Sequence, residues 1–162
     1  MTTLSYRRGL TSLSTVVALS LAASLPANAQ SLKDQLVGTW ALTAGTEVAA
    51  DGSKVKRWTE GRVMFDANGN VAHFLIGPDR PKTGNDPRAP VGPAVGYWGT
   101  YTVNEADKST TWKIERAMWP GFDGIERKQS IAFSGDTMTT TGSLVQTPQG
   151  PITPVNEWKR VK

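Results

Sequence analysis

The chain contains no cysteine and one histidine, His73. Without thiols it has no disulfide framework, no thiolate metal site, no cysteine nucleophile and no cysteine for lipid attachment. A single imidazole also excludes a two-histidine metal centre. Nucleophile-elbow, phosphate-loop and dinucleotide-binding patterns are missing as well, so neither a cofactor nor a metal is expected. The acidic run Asp66-Ala67-Asn68-Gly69-Asn70 is not a calcium loop: its glycine comes two places too early and no glutamate closes it. Charge of one sign is in short supply too. With 18 basic and 14 acidic residues the formal net charge is +4, far from the balance of a nucleic-acid-binding protein.

The one long apolar run lies at the N-terminus. Arg7 and Arg8 precede an apolar segment from Leu10 to Leu25, and Ala27-Asn28-Ala29 stands before Gln30. This is the pattern of a secretory signal peptide covering 1–29, with an A-x-A cleavage site. The run is shorter than the ~20 residues a spanning helix needs and is interrupted by serines and Pro26. Nothing after it is apolar enough to span, so no stable membrane insertion is expected once it is removed. Gly9-Leu10 after the arginine pair argues against the twin-arginine route. Loss of Arg7 and Arg8 lowers the net charge to about +2, and the product is expected in the periplasm or outside the cell. Residues 30–162 are of a length for one domain with one core.

What remains is rich in alternating apolar segments and turn residues. Ser31, with Asp34 three places on, has capping-box spacing for a short helical turn, with Leu32 and Leu36 on one side as a lid. Strands are predicted at Thr39–Thr46, Val55–Phe65, Val71–Ile76, Gly96–Asn104, Thr110–Arg116, Glu126–Phe133, Thr137–Thr141 and Val155–Val161. In the first, Trp40, Leu42 and Ala44 share a face, and the Trp40 ring is expected across the floor of a barrel. Connections after the second, fourth and sixth strands are tight turns. Those after the first, third, fifth and seventh are read as long and rich in glycine and proline, above all 77–95 with five prolines. Alternate connections of an antiparallel up-and-down sheet lie at one end, so the pattern predicts an eight-stranded antiparallel β-barrel with a closed floor and a loop-rimmed mouth.

Leu36-Val37-Gly38-Thr39-Trp40, Asn68-Gly69, Gly99-Thr100-Tyr101-Thr102-Val103 and Trp158-Lys159-Arg160-Val161 resemble the bacterial lipocalin-like domain family, a branch of the calycin barrels. The resemblance implies a β-barrel that binds an apolar small molecule. It also implies a floor in which a basic side chain of the last strand, here Arg160, covers the first-strand Trp40, with Trp158 alongside.

Candidate ligand-binding residues follow from strand alternation. His73, Tyr101, Trp112 and Arg116 are expected to line the cup, and Trp98 and Trp119 to guard its mouth together with Tyr97, Trp58 and Phe122. Arg127, on a face with Ile131 and Phe133, is a further inward arginine, able either to hold a carboxylate or phosphate or, as is more common, to pair with a neighbouring acid, for which Glu115, Glu126 and Glu157 are available. Three functions fit. The first is an exported barrel that binds a small, largely apolar molecule without catalysis. The second is an isomerase, hydratase or cyclase acting on an apolar substrate through His73. The third is a filled barrel serving as an interaction or cell-envelope module, which an interior cavity below ~300 Å³ would favour. The Thr-rich strand Thr137–Thr141 reads as a solvated face.

Overall fold

The computed structural model describes residues 30–80 and 92–162. Residues 1–29, on which the expected signal peptide falls, and residues 81–91, most of the proline-rich stretch, lie outside the described residues. The described chain forms one short helix, α1 (Leu32–Leu36), and ten strands: β1 (Gly38–Ala49), β2 (Lys54–Trp58), β3 (Glu60–Phe65), β4 (Asn70–Ile76), β5 (Ala94–Asn104), β6 (Ser109–Ala117), β7 (Glu126–Ser134), β8 (Thr137–Gly142), β9 (Val145–Thr147) and β10 (Gly150–Arg160). All pairings are antiparallel, in the order β2-β1-β3-β4-β5-β6-β7-β8-β10-β9, and β1 pairs with β10 to close the ring. Eight strands therefore make a closed up-and-down barrel. This is the eight-stranded antiparallel barrel that the sequence pattern predicts and the resemblance implies.

The two additional strands are upper continuations of the wall. β2 pairs with the far half of β1 after a break at Thr59, and β9 pairs with the start of β10 after a break beyond Gly142. The long-loop expectation is corrected here. The connections after the first and seventh predicted strands are hairpins, because β1 runs on to Ala49 and β10 begins at Gly150. Only the β4–β5 and β6–β7 connections are long, but all four mouth connections do share one end. Pro151 and Pro154 stand in the first half of β10, ahead of the predicted strand start at Val155. Each is tolerated because one side of it is unpaired: Pro154 has no partner on the β8–β9 side of β10, and Pro151, which faces Gln146 of β9, has none on β1.

The floor follows from its residues. Ser31 caps α1, its Oγ accepting from the Asp34 amide at 3.0 Å. Leu32 and Leu36 are buried, each contributing roughly 1.5–3 kcal/mol of apolar burial. Glu105, in the β5–β6 turn, accepts from the Leu32 amide at 3.0 Å and ties the helix beneath the barrel. Above it lie Trp40, Trp112 and Trp158, each no more than 1% exposed. Phe65 meets the edges of Tyr101 and Trp112 at 5.1 and 5.5 Å between ring centres. The Thr-rich strand is only half solvated: Met138 and Thr140 point inward, and Thr140 Oγ1 accepts from the Trp158 indole at 3.1 Å.

Candidate functional site

The lower barrel is filled, and the upper part holds a hollow of about 190 Å³. Its walls are Trp58, Leu75, Val95, Tyr97, Phe122, Val145, Ile152 and Pro154, with Glu47, His73, Arg127, Gln129, Thr147 and Asn156 as polar members. Trp58 lies across Gly45, its partner in the β1–β2 register. A methyl group built on Gly45 would come within 2.6 Å of Trp58 Cβ, so only glycine lets the indole settle on the wall at that point. On the opposite side, the loop after β6 folds Pro120–Phe122 into a single 3-10 turn. Phe122 thereby faces Tyr97 edge-on at 6.2 Å, and Trp119 packs on Phe122 at 4.7 Å.

His73 stacks on Tyr97 at 4.7 Å and meets the edges of Trp112 and Trp158 at 5.5 and 5.6 Å. It is 4% exposed, and among the described residues its Nδ1 has no hydrogen-bond partner. Burial, assisted by the positive charge of Arg127, lowers its pKa to about 3. The same burial raises the Tyr97 phenol to about 12, with Arg127 opposing. Asn156, 7% exposed, leaves its Oδ1 likewise unpartnered among the described residues. Unsatisfied buried polar atoms cost about 1–3 kcal/mol each, and these two belong to residues of one cavity.

The neutral His73 makes stability depend on pH. In the unfolded chain it takes up a proton near its ordinary value of 6.5, whereas in the fold it does so only near 3. The unfolded state therefore binds more protons across that window, and this contribution is complete above pH 6.5 and lost as pH falls toward 3. Urea unfolding at pH 7 and 4.5 should show wild type losing about 2–3 kcal/mol more than His73→Gln. Equal losses would place the imidazole in contact with water.

The structure separates the sequence candidates into three groups. His73 and Tyr97 line the hollow. Tyr101 and Trp112 are buried below it: the Tyr101 hydroxyl donates to the Asp66 carbonyl at 2.8 Å, and the Trp112 indole donates to Thr110 Oγ1 at 2.9 Å. Their expected place on the ligand surface is corrected, because the floor core uses them. Trp98, Arg116 and Trp119 lie outside. Trp98 is 52% exposed on the outer wall and Trp119 is 62% exposed at the rim. Arg116 faces solvent and approaches Asp123 at 3.8 Å. Its alternation with Trp112 and Ile114 is broken by a bulge: Trp98 pairs with Arg116 and Gly99 with Ile114, leaving Glu115 as the extra residue.

A second bulge explains a residue that sequence reading missed. Between Leu42 and Ala44 the β1–β10 register slips at Thr43. Inward parity therefore passes from Trp40 and Leu42 to Gly45 and Glu47, and Glu47 rather than Ala44 reaches the hollow. Arg127 does point inward, as its alternation with Ile131 and Phe133 indicates, and the same rule applied to the residue between them finds Gln129. At the floor, the Arg160 guanidinium lies 4.1 Å from the Trp40 ring centre.

The outer wall carries a second feature. Met64, Ala72 and Trp98 are register neighbours on β3, β4 and β5, and with Val37 and Thr39 they border an open groove of about 640 Å³.

No protein-family model matches the chain, and no curated protein matches it. Among solved structures it is similar to a lipocalin-like protein from Bacteroides uniformis ATCC 8492. The identity is 14%, the alignment covers 75% of this chain and 97% of that one, and the TM-score is 0.43.

Proposed function

We propose that this protein is exported to the periplasm or beyond, and that it binds a small, largely apolar molecule in the upper hollow without changing it chemically. The composition of residues 1–29 supports export. The observation that carries the binding reading is the hollow itself: aromatic and aliphatic walls with a few polar side chains among them, Glu47, His73, Arg127, Gln129 and Asn156. That combination of apolar lining with a few placed polar groups is what small-molecule sites share. The volume sets the size of the guest. An apolar cavity of roughly 150 Å³ accommodates benzene, so about 190 Å³ suits one ring or a short branched chain, not a full-length fatty acid. Catalysis through His73 is the weaker reading, because a ring with a pKa near 3 is a feeble base and offers no proton at neutral pH.

Trp58 stands in the wall and reports occupancy. Titration of residues 30–162 with single-ring compounds should give saturable changes in tryptophan emission that Trp58→Phe diminishes, while long-chain fatty acids give none. A flat response across the single-ring panel would overturn the proposal. At about 190 Å³ the hollow is below ~300 Å³ and so already counts toward the filled-barrel reading; a flat response would complete that case, with the outer groove beside Trp98 as a contact surface.

A further inference from the structure

The binding reading above leaves the chemistry of the guest open, and the charges around the hollow narrow it. Two charged side chains line it, Glu47 and Arg127. Glu47 is already committed: its Oε1 lies 3.3 Å from Arg57 Nε, on the neighbouring strand β2. Arg127 is not. Among the described residues its side chain makes no hydrogen bond or ion pair, and its guanidinium rests over the Phe122 ring at 5.1 Å from the centroid. Nor do its neighbours balance it. Lys128 is paired with Asp107 at 2.7 Å, and Glu126, the adjacent acid, alternates to the exposed face. A cation held against an aromatic ring beside a mostly apolar cavity is screened less than one in bulk water and attracts an anion more strongly. Beside it, the side-chain amides of the buried Gln129 and Asn156 supply neutral donors that can complete the coordination of an acid group.

Resting on that binding reading, we propose that the hollow selects monoanionic ring-sized carboxylic acids, with the carboxylate held by Arg127 and the apolar body lodged between Trp58 and Tyr97. One cation without an ion-pair partner among the described residues calls for one negative charge, and the planar fork of a guanidinium matches the two oxygens of a carboxylate.

The test compares benzoate with its neutral counterpart benzamide, by calorimetry and by Trp58 emission, on wild type, Arg127→Gln and Arg127→Lys. Wild type should bind benzoate at least about tenfold more tightly than benzamide. Arg127→Gln should lose that preference while still binding benzamide, and Arg127→Lys should keep only part of it, since an ammonium lacks the fork. Thermal melts of the variants establish that they are folded. If both probes bind wild type equally and Arg127→Gln changes neither, the carboxylate assignment is overturned and the binding site stands. If neither probe binds wild type, the site itself fails and the assignment with it.

Discussion

Replacing Gly99 by alanine should cost this barrel about 3 kcal/mol, at the upper end of what overpacking a core usually costs. Gly99 is buried in the middle of β5, between Val71 of β4 and Ile114 of β6. Here the Glu115 bulge presses the β6 backbone inward, and a methyl group on Gly99 would strike the Lys113 carbonyl oxygen. It would also lie 2.9 Å from the Glu115 amide nitrogen and 3.0 Å from the Lys113 carbonyl carbon. All three atoms are backbone, so no rotamer change relieves the clash. The strand must move, and with it the register that joins β5 to β6. For a domain of this size the expected drop in melting temperature is about 10 °C. Gly124 provides the control. Its φ of +77° penalises alanine, but a methyl group there meets nothing within 4 Å, so Gly124→Ala should cost only about 1 kcal/mol. Calorimetric melts of the two variants would show whether close approach or backbone conformation matters more; equal shifts would mean that the bulge can relax.

That pair of glycines shows what a sequence conveys about this fold and what it withholds. The sharp turns were legible because their chemistry is local: Asn68-Gly69 reverses the chain with Gly69 at φ +93°, and Ser31 caps a helix three residues from Asp34. The floor was legible through the resemblance, which implies a basic side chain of the last strand over the first-strand Trp40, and the β1–β10 pairing brings Arg160 to that place. Long alternating runs identified the strands and put Arg127 on an inner face. The cup lining was half legible. Period-two reading is correct until one residue is added to a strand, and then every later side chain changes face. Thr43 hid Glu47 in this way and Glu115 turned Arg116 outward. Neither bulge has a local sequence signal of its own, since each arises where a closing wall must bend. Pro151 and Pro154 concealed the first half of β10, although Asn156 already fell within the predicted last strand. The depth to which the barrel fills was not legible at all. It depends on how Phe65, Tyr101 and Trp112 interlock, and this sets a ring-sized hollow where a deeper cup was expected.

Arg160→Ala should detach the floor, with a loss of about 3 kcal/mol. The side chain performs three tasks at once. Its guanidinium covers Trp40 at 4.1 Å, Nη1 donates to the Val37 carbonyl at 2.9 Å, and Nη2 donates to the Gln35 carbonyl. Val37 is the residue following α1, so the arginine satisfies carbonyls that a helix end leaves without intrahelical partners and adds a positive charge where the helix dipole favours one. A charge-assisted hydrogen bond contributes about 1.5–3 kcal/mol and a cation over tryptophan about 1 kcal/mol; the sum is reduced because Arg160 is partly exposed. Trp40 meanwhile donates its indole to the Leu36 carbonyl at 2.8 Å, so one cluster fastens helix, first strand and last strand together. Lysine cannot replace the arginine, having neither the flat face for the indole nor a fork spanning two carbonyls. Arg160→Lys should therefore recover less than half of the loss. Amide hydrogen exchange gives the sharper readout: in Arg160→Ala, protection of α1 and of the β1 amides near Trp40 should fall, while the β4–β5 strands around His73 and Tyr97 stay protected. Uniform loss across all strands would mean that the floor is not a separable unit, and that closing the ring from β1 to β10 stabilises the whole wall at once.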